Sequence, residues 1–70
     1  MSTMRENLKN ARKAAGMTQQ QMADKLQVGL RQYQRIEKGQ SIGTIELWDK
    51  LEDLFNIHQR VLRKIEDNKE

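Results

Sequence analysis

The stretch TQQQMADKLQVGLRQYQRIEKG, residues 18–39, contains two short helical patterns separated by only a few residues. Thr18 and Gln21 have the spacing of a capping box, and the apolar residues that follow predict a helix over about 18–26. The pattern is then interrupted, and another helix is predicted over about 29–38. This second helix carries arginines on a face that a core does not need, which raises the question of what they contact.

The two patterns form a helix-turn-helix unit over about 18–38, because a turn of three to four residues joins them. Another helix precedes this unit. Thr3 and Glu6 repeat the capping-box spacing and predict a first helix over about 4–15, which ends where Gly16 can adopt the left-handed conformation.

The second half of the chain predicts two more helices. Thr44 is placed to cap a fourth helix and Asn56 to end it. Five apolar residues fall at helical spacing between them: Ile45, Trp48, Leu51, Leu54 and Phe55. A C-terminal helix is predicted over about 58–67. Since no stretch alternates with period two, the predicted fold class is all-α with five helices.

Length and composition limit the kind of protein this can be. A chain of 70 residues is expected to form a single domain over 1–70 with one small core. It has no cysteine, so helix packing, alone or against a second copy, must stabilise it. No apolar run approaches the roughly 18 residues that span a bilayer, and no signal peptide is evident. We expect a soluble, cytoplasmic protein with no cofactor, metal or small-molecule ligand.

The charges are unevenly distributed along the chain. Residues 1–38 contain eight basic and three acidic side chains, a formal charge of +5, whereas residues 39–70 contain five basic and seven acidic side chains, a charge of −2. The first half is therefore suited to a polyanion and the second half is not. Solvated helix faces are the alternative explanation of this bias.

Residues 17–39, MTQQQMADKLQVGLRQYQRIEKG, resemble the DNA-binding domain of the lambda-repressor and Cro-type helix-turn-helix family, also called the XRE family. The resemblance extends over about 4–57. It rests on spaced matches: Gly16 to Gln19 entering the second helix, Ala23 at a helix crossing, Val28 in the turn, Arg35 to Gly39 closing the third helix, and TIELWDKLEDLFNI as the fourth helix.

The resemblance implies a five-helix lambda-repressor-like domain that binds double-stranded DNA with sequence specificity. The implied role is that of a transcriptional regulator, a repressor of phage, mobile-element or restriction-control type, in a bacterial cell or phage-infected host. A single unit reads few base pairs, so a homodimer on a palindromic operator is expected, formed either in solution or only on DNA.

The resemblance also assigns contacts to individual residues. Base contacts are expected from the third helix, through Leu30, Arg31, Gln34 and Arg35. Phosphate contacts are expected from the start of the second helix and from the end and loop after the third, through Gln19, Lys38, Gln40 and Thr44. Arginine can pair with guanine and glutamine with adenine, so these residue types suit base reading. A solvated cationic stripe is the alternative.

Arg12 and Glu37 occupy positions where similar proteins pair an arginine of the first helix with a glutamate of the third. Such a pair would be partly buried and would fix the orientation of the third helix more than it adds net stability. The alternative is two solvated charges. Tyr33 replaces a smaller aliphatic residue, so its hydroxyl must find a partner.

Four further residues depart from the family pattern. Gln27 stands where many relatives have glycine, and Gly29 where serine or threonine usually caps the third helix. Leu30 is apolar where a polar side chain is common, which suggests contact with a thymine methyl or a loss of reading at that base. Gly43 stands where proline often precedes the fourth helix.

The C-terminal helix is the candidate dimer contact, through Val61, Leu62 and Ile65; closure of the core by the same side chains is the alternative of equal standing. A second functional hypothesis is a protein-interaction module, such as an antitoxin or coactivator-like domain, which would use Trp48 and Phe55 as well; packing in the core is the alternative use of both aromatics. An enzyme is not expected, because the sequence has a single histidine, no cysteine, and no metal or triad spacing.

Overall fold

The computed structural model describes residues 4–65, which contain five helices and no strand. The helices are α1 (Glu6–Ala14), α2 (Gln19–Leu26), α3 (Leu30–Glu37), α4 (Ile45–Phe55) and α5 (Gln59–Arg63). Helix α2 packs on α3, and α5 packs against both α1 and α4. The predicted all-α, five-helix fold is confirmed. Over these residues, no helix is long and apolar enough to cross a membrane.

Residues 27–29 form the turn between α2 and α3. Thr18 and Gln21 make both bonds of the predicted capping box at the start of α2. Gln27 ends the helix in the left-handed conformation, with φ 60°, where many similar proteins have glycine. The backbone N–H of Val28 then donates to the carbonyl of Ala23 at 3.0 Å, which closes the end of α2. Side-chain capping is absent at Gly29, so α3 begins without that support.

The core draws at least one side chain from every helix. Its buried members are Leu8, Ala11, Met22, Ala23, Leu26, Tyr33, Ile36, Leu47, Trp48, Leu51 and Leu62. Ala23 is fully buried, as its place at the helix crossing predicts, and Val28 packs against the edge of the core. One apolar cluster therefore holds the turn and α3 in place.

Two helix boundaries differ from the prediction. Helix α1 begins at Glu6 rather than residue 4, because the backbone N–H of Arg5 donates to the Glu37 carbonyl at 2.9 Å and Arg5 is the N-cap. Thr3 lies outside the described residues. Helix α5 ends at Arg63, because Lys64 is extended, with ψ 132°. The part of the predicted helix beyond residue 65 lies outside the described residues.

The buried face of α4 only partly coincides with the five apolar residues at helical spacing. Ile45 is 78% exposed and Leu54 is 38% exposed, whereas Leu47, which the pattern did not include, is 5% exposed. Gly43 has φ +78°, which proline cannot adopt, so glycine at this position sets how the chain enters α4.

Gly43→Ala should test how tightly this loop is packed. A Cβ at Gly43 would lie 3.3 Å from Cδ1 of the buried Ile36, and the backbone would also be strained. We expect a loss of about 2–3 kcal/mol in the free energy of unfolding, measured with urea. Gly16→Ala is the matched control, because Gly16 has φ +70° with nothing within 4 Å of the added Cβ. It should cost about 1 kcal/mol. Equal losses in the two variants would show that packing at Gly43 is unimportant.

Candidate nucleic-acid interface

Glu37, the last residue of α3, is 2% exposed and accepts hydrogen bonds from three other side chains. Arg12 of α1 donates from Nε to Oε2 at 2.8 Å and from a second nitrogen to Oε1 at 3.3 Å. Tyr33 donates its hydroxyl to Oε2 at 2.6 Å, and Gln19 of α2 donates to Oε1 at 2.9 Å. The carboxylate therefore joins three helices at one point.

These contacts shift the pKa values of the groups involved. Burial alone would raise the pKa of Glu37, but the hydrogen bonds from Arg12, Tyr33 and Gln19 outweigh it and hold that pKa below its ordinary value. Burial, reinforced by the bond to Glu37, raises the pKa of the Tyr33 hydroxyl. The hydrogen bond to Glu37 raises the pKa of Arg12 despite its burial. Arg12 and Glu37 thus form the charged pair that the resemblance implies, and Tyr33 has its partner.

Gln19 continues this network to the surface. Its Oε1 accepts a hydrogen bond from Nε2 of Gln34 at 3.2 Å, while its own amide nitrogen donates to Glu37. The start of α2 is thereby bonded to two residues of α3 through a single side chain. One N–H of Gln19 is left over from these two bonds. Gln34 likewise has an amide oxygen and one N–H besides the bond to Gln19.

The opposite face of α3 is basic and open to solvent. Arg31, Arg35 and Lys38 are exposed and follow one stripe of the helix, at positions i, i+4 and i+7. Within residues 4–65, none of these three cations forms an ion pair with a carboxylate. Leu30, at the start of the helix, is 37% exposed. Because Tyr33, Ile36 and Glu37 anchor the inner face, the basic stripe has a fixed direction.

The loop between α3 and α4 lies at the end of this stripe. Its first exposed residue, Gln40, donates its backbone N–H to the carbonyl of Arg35 at 2.8 Å and leaves its side chain in solvent. Thr44 is exposed and caps α4, accepting from the N–H of Leu47 at 3.1 Å. Its hydroxyl hydrogen remains able to donate.

Arg5 is a buried arginine that the sequence reasoning did not single out. It is 4% exposed, and its guanidinium donates to the carbonyl of Ile36, to that of Ser41 at 2.8 Å and to that of Arg63 at 3.0 Å. It also lies 5.2 Å from the ring centroid of Trp48. An arginine at a helix start opposes the helix dipole, which was the one available signal that its position is determined by tertiary contacts.

Two residues suggested as contact surfaces are buried. Leu62 is fully buried in the core and Trp48 is 1% exposed, with its indole N–H donating to the carbonyl of Ile42. Leu62 is therefore not available for a dimer contact, and Trp48 cannot form a surface for a protein partner. Val61 and Ile65 are 44% and 40% exposed.

Comparison with known proteins agrees with this geometry. A family model described as helix-turn-helix matches residues 8–59, which include all of α2, the turn and α3. The chain belongs to the XRE-type helix-turn-helix family.

Among curated proteins, this family member is similar to the cryptic phage CTXphi transcriptional repressor RstR of Vibrio cholerae serotype O1 (strain ATCC 39315 / El Tor Inaba N16961). The two are 39% identical over 54 residues, which cover 77% of this chain. The match covers 48% of the repressor, so the chain spans about half of that protein's length. No solved structure gives a significant match.

The Glu37 network should make stability depend on pH in acid. Because the folded protein holds the pKa of Glu37 below its ordinary value of 4.5, this group stabilises the fold above about pH 4.5. That contribution is lost as the pH falls through the lower folded-state pKa. Urea unfolding from pH 7 into this acid range should show the free energy of unfolding decrease.

Two variants test how the Glu37 carboxylate and its Tyr33 donor contribute to stability. Glu37→Gln leaves Arg12 buried without its charge partner, so it should lose about 3 kcal/mol at pH 7 and show a flatter acid profile. Tyr33→Phe removes one donor and should lose about 1 kcal/mol. Asp53→Asn changes an exposed carboxyl and should stay within about 0.5 kcal/mol of the unmodified chain. A Glu37→Gln variant as stable as the unmodified chain at every pH would contradict the account.

Proposed function

We propose that this chain binds double-stranded DNA with sequence specificity and acts as a transcriptional repressor, in a bacterial cell or phage-infected host. Membership of the XRE-type helix-turn-helix family supports DNA binding. The similarity to a protein named as a phage transcriptional repressor supports repression.

The observation that carries this proposal is the two-sided character of α3. Its inner face is held by the buried Glu37 carboxylate, while Arg31 and Arg35 extend from the outer face without an ion pair to any described residue. Unpaired guanidinium groups on a helix of fixed orientation suit the major groove, which is wide enough to admit an α-helix.

We assign base contacts to the outer face of α3. Arg31 and Arg35 each present a planar pair of donors that matches the O6 and N7 acceptors of guanine. Gln34 has the amide atoms for adenine, but its bond to Gln19 restricts its rotation and therefore the direction in which it can read. Leu30 is exposed enough to contact a thymine methyl.

We assign phosphate contacts to residues on either side of the base-reading turns. Gln19 has one free N–H at the start of α2, where backbone N–H groups also favour an anion. Lys38, Gln40 and Thr44 follow the end of α3 into the next helix and offer exposed donors. Such contacts set the register of the protein on the duplex and carry no sequence information of their own.

Separate substitutions should distinguish base reading from phosphate binding. Arg31→Ala and Arg35→Ala should each cost about 1–3 kcal/mol of discrimination at one base pair, measured by anisotropy on a duplex selected from random sequences and its point variants. Lys38→Ala is the matched control. It should weaken binding to every duplex alike and reduce the salt slope by about 1. Wild-type binding that is equal for selected and shuffled duplexes would contradict sequence-specific recognition.

The proposed DNA-bound form is a homodimer on a palindromic site. Two copies are needed because each α3 reads only a few base pairs. Their half-sites would lie about one helical turn apart. Val61 and Ile65 are the exposed apolar side chains of the C-terminal region that can contact a second copy. Arg60, Arg63 and Lys64 lie among them, so two such faces repel each other until a polyanion reduces the repulsion. This arrangement favours dimerisation on DNA over dimerisation in solution.

Sedimentation with and without a palindromic duplex tests the dimer. We expect a monomer in free solution and two chains per duplex when bound. Val61→Ser combined with Ile65→Ser should leave binding to a single half-site unchanged and remove the second binding event or its cooperativity. Leu54→Ser is the control, because Leu54 is 38% exposed and lies beside Lys25 and Lys50. One chain per palindrome for the unmodified protein would contradict the proposal.

A further inference from the structure

An open depression of about 260 Å³ lies outside the helix-turn-helix unit. Among the described residues, 4–65, four of the five that line it are cations and none is a carboxylate: Arg5, Ile42, Arg60, Arg63 and Lys64. The side chains of Arg60, Arg63 and Lys64 are exposed. Within residues 4–65, none of the four cations forms an ion pair. The depression therefore concentrates positive charge without an internal counter-ion from the described residues.

Arg5 places one cation of the depression in a fixed position. Its guanidinium is buried and held by carbonyl oxygens of α3, of the following loop and of α5. Burial, with repulsion from the charge of Arg63, lowers the pKa of Arg5, and both residues line the depression. An anion that binds here would relieve both the desolvation and the repulsion.

The depression borders the loop that carries two of the proposed phosphate contacts. Ile42, one of its lining residues, belongs to the loop that follows α3, and Ser41 beside it accepts a hydrogen bond from Arg5. The same loop carries Gln40 and Thr44, which are exposed. A duplex held against α3 and this loop would bring its backbone close to α5.

We propose that this depression is a second contact site for the phosphate backbone of the same duplex, with Arg60 and Arg63 as its principal ligands. The inference rests on the proposed DNA binding and extends the contact surface from the helix-turn-helix unit to α5. A second copy of the chain is the poorer occupant, because it would bring like charges together. The exposed arginine side chains are not fixed by the fold, which suits a continuous polyanion better than one small anion.

The salt dependence of DNA binding tests this site. The duplex is the one selected by the unmodified chain, and the salt concentration is varied at constant pH. Removing one phosphate contact lowers the slope of log affinity against log salt by about 0.9, so Arg60→Gln combined with Arg63→Gln should lower it by about 1.8 for each chain bound to the duplex. The preference for the selected over a shuffled duplex should stay the same, because backbone contacts carry no sequence information.

Lys25→Gln combined with Lys50→Gln is the matched control. It removes the same number of exposed charges from a different depression, which Asp53 also lines, and should leave the slope unchanged.

Shortening the flanks of the duplex gives a second readout. It should weaken binding of the unmodified chain and of the lysine variant, but have little effect on the arginine variant.

Several results would overturn the inference. Equal slopes for the arginine variant and the unmodified chain would do so. This is the result expected if the C-terminal acidic residues Glu66, Asp67 and Glu70 neutralise the cluster. Equal loss of slope in both double variants would indicate a general charge effect. If inorganic phosphate, at the ionic strength of the chloride series, weakens DNA binding by the unmodified chain only, the depression would be a site for the free ion. An unmodified chain that binds no duplex would overturn the proposed function as well.

Discussion

The buried carboxylate of Glu37 is the constraint on which the rest of this small fold depends. A charge that is 2% exposed must have hydrogen-bond donors, and here the donors come from α1, α2 and α3 itself. Since the donors come from different helices, the carboxylate is satisfied only when those helices have one particular arrangement. The network therefore specifies the orientation of α3 more than it increases the total stability.

Hydrogen bonds to other parts of the chain hold α3 at its end and at its middle. Its last carbonyl groups accept hydrogen bonds from Arg5. The backbone N–H of Arg5 donates to the carbonyl of Glu37, and its guanidinium donates to the carbonyl of Ile36. Gln34, the fifth of the eight residues of α3, donates to the Gln19 amide oxygen, and the turn at Gln27 leads from α2 into the helix. A short helix that is held along its whole inner face can present exposed arginines without rearranging when a ligand arrives. Such preorganisation reduces the entropy cost of binding.

The sequence predicted the helix order and the position of α3 well, because these features depend on local signals. The capping box at Thr18, the left-handed ends at Gly16 and Asn56, and the apolar spacing are all determined by residues close together in the chain. The family resemblance added the long-range pairing of Arg12 with Glu37, which no local pattern indicates.

The features that were missed depend on contacts between distant residues. Arg5 looked like an ordinary surface cation, because its carbonyl partners lie 31 or more positions away. Leu62 fits a dimer surface and a core equally well by spacing alone, and only the packing of α5 on α1 and α4 decides between them.

The most direct test of the account is the structure of the chain bound to a duplex selected from random sequences. The account predicts that α3 lies in the major groove with Arg31 and Arg35 at base edges. It also predicts that Glu37 keeps its hydrogen bonds to Arg12, Tyr33 and Gln19 in the bound form. A complex in which α3 faces away from the groove, or in which Arg12 has left Glu37 to contact the DNA, would contradict it.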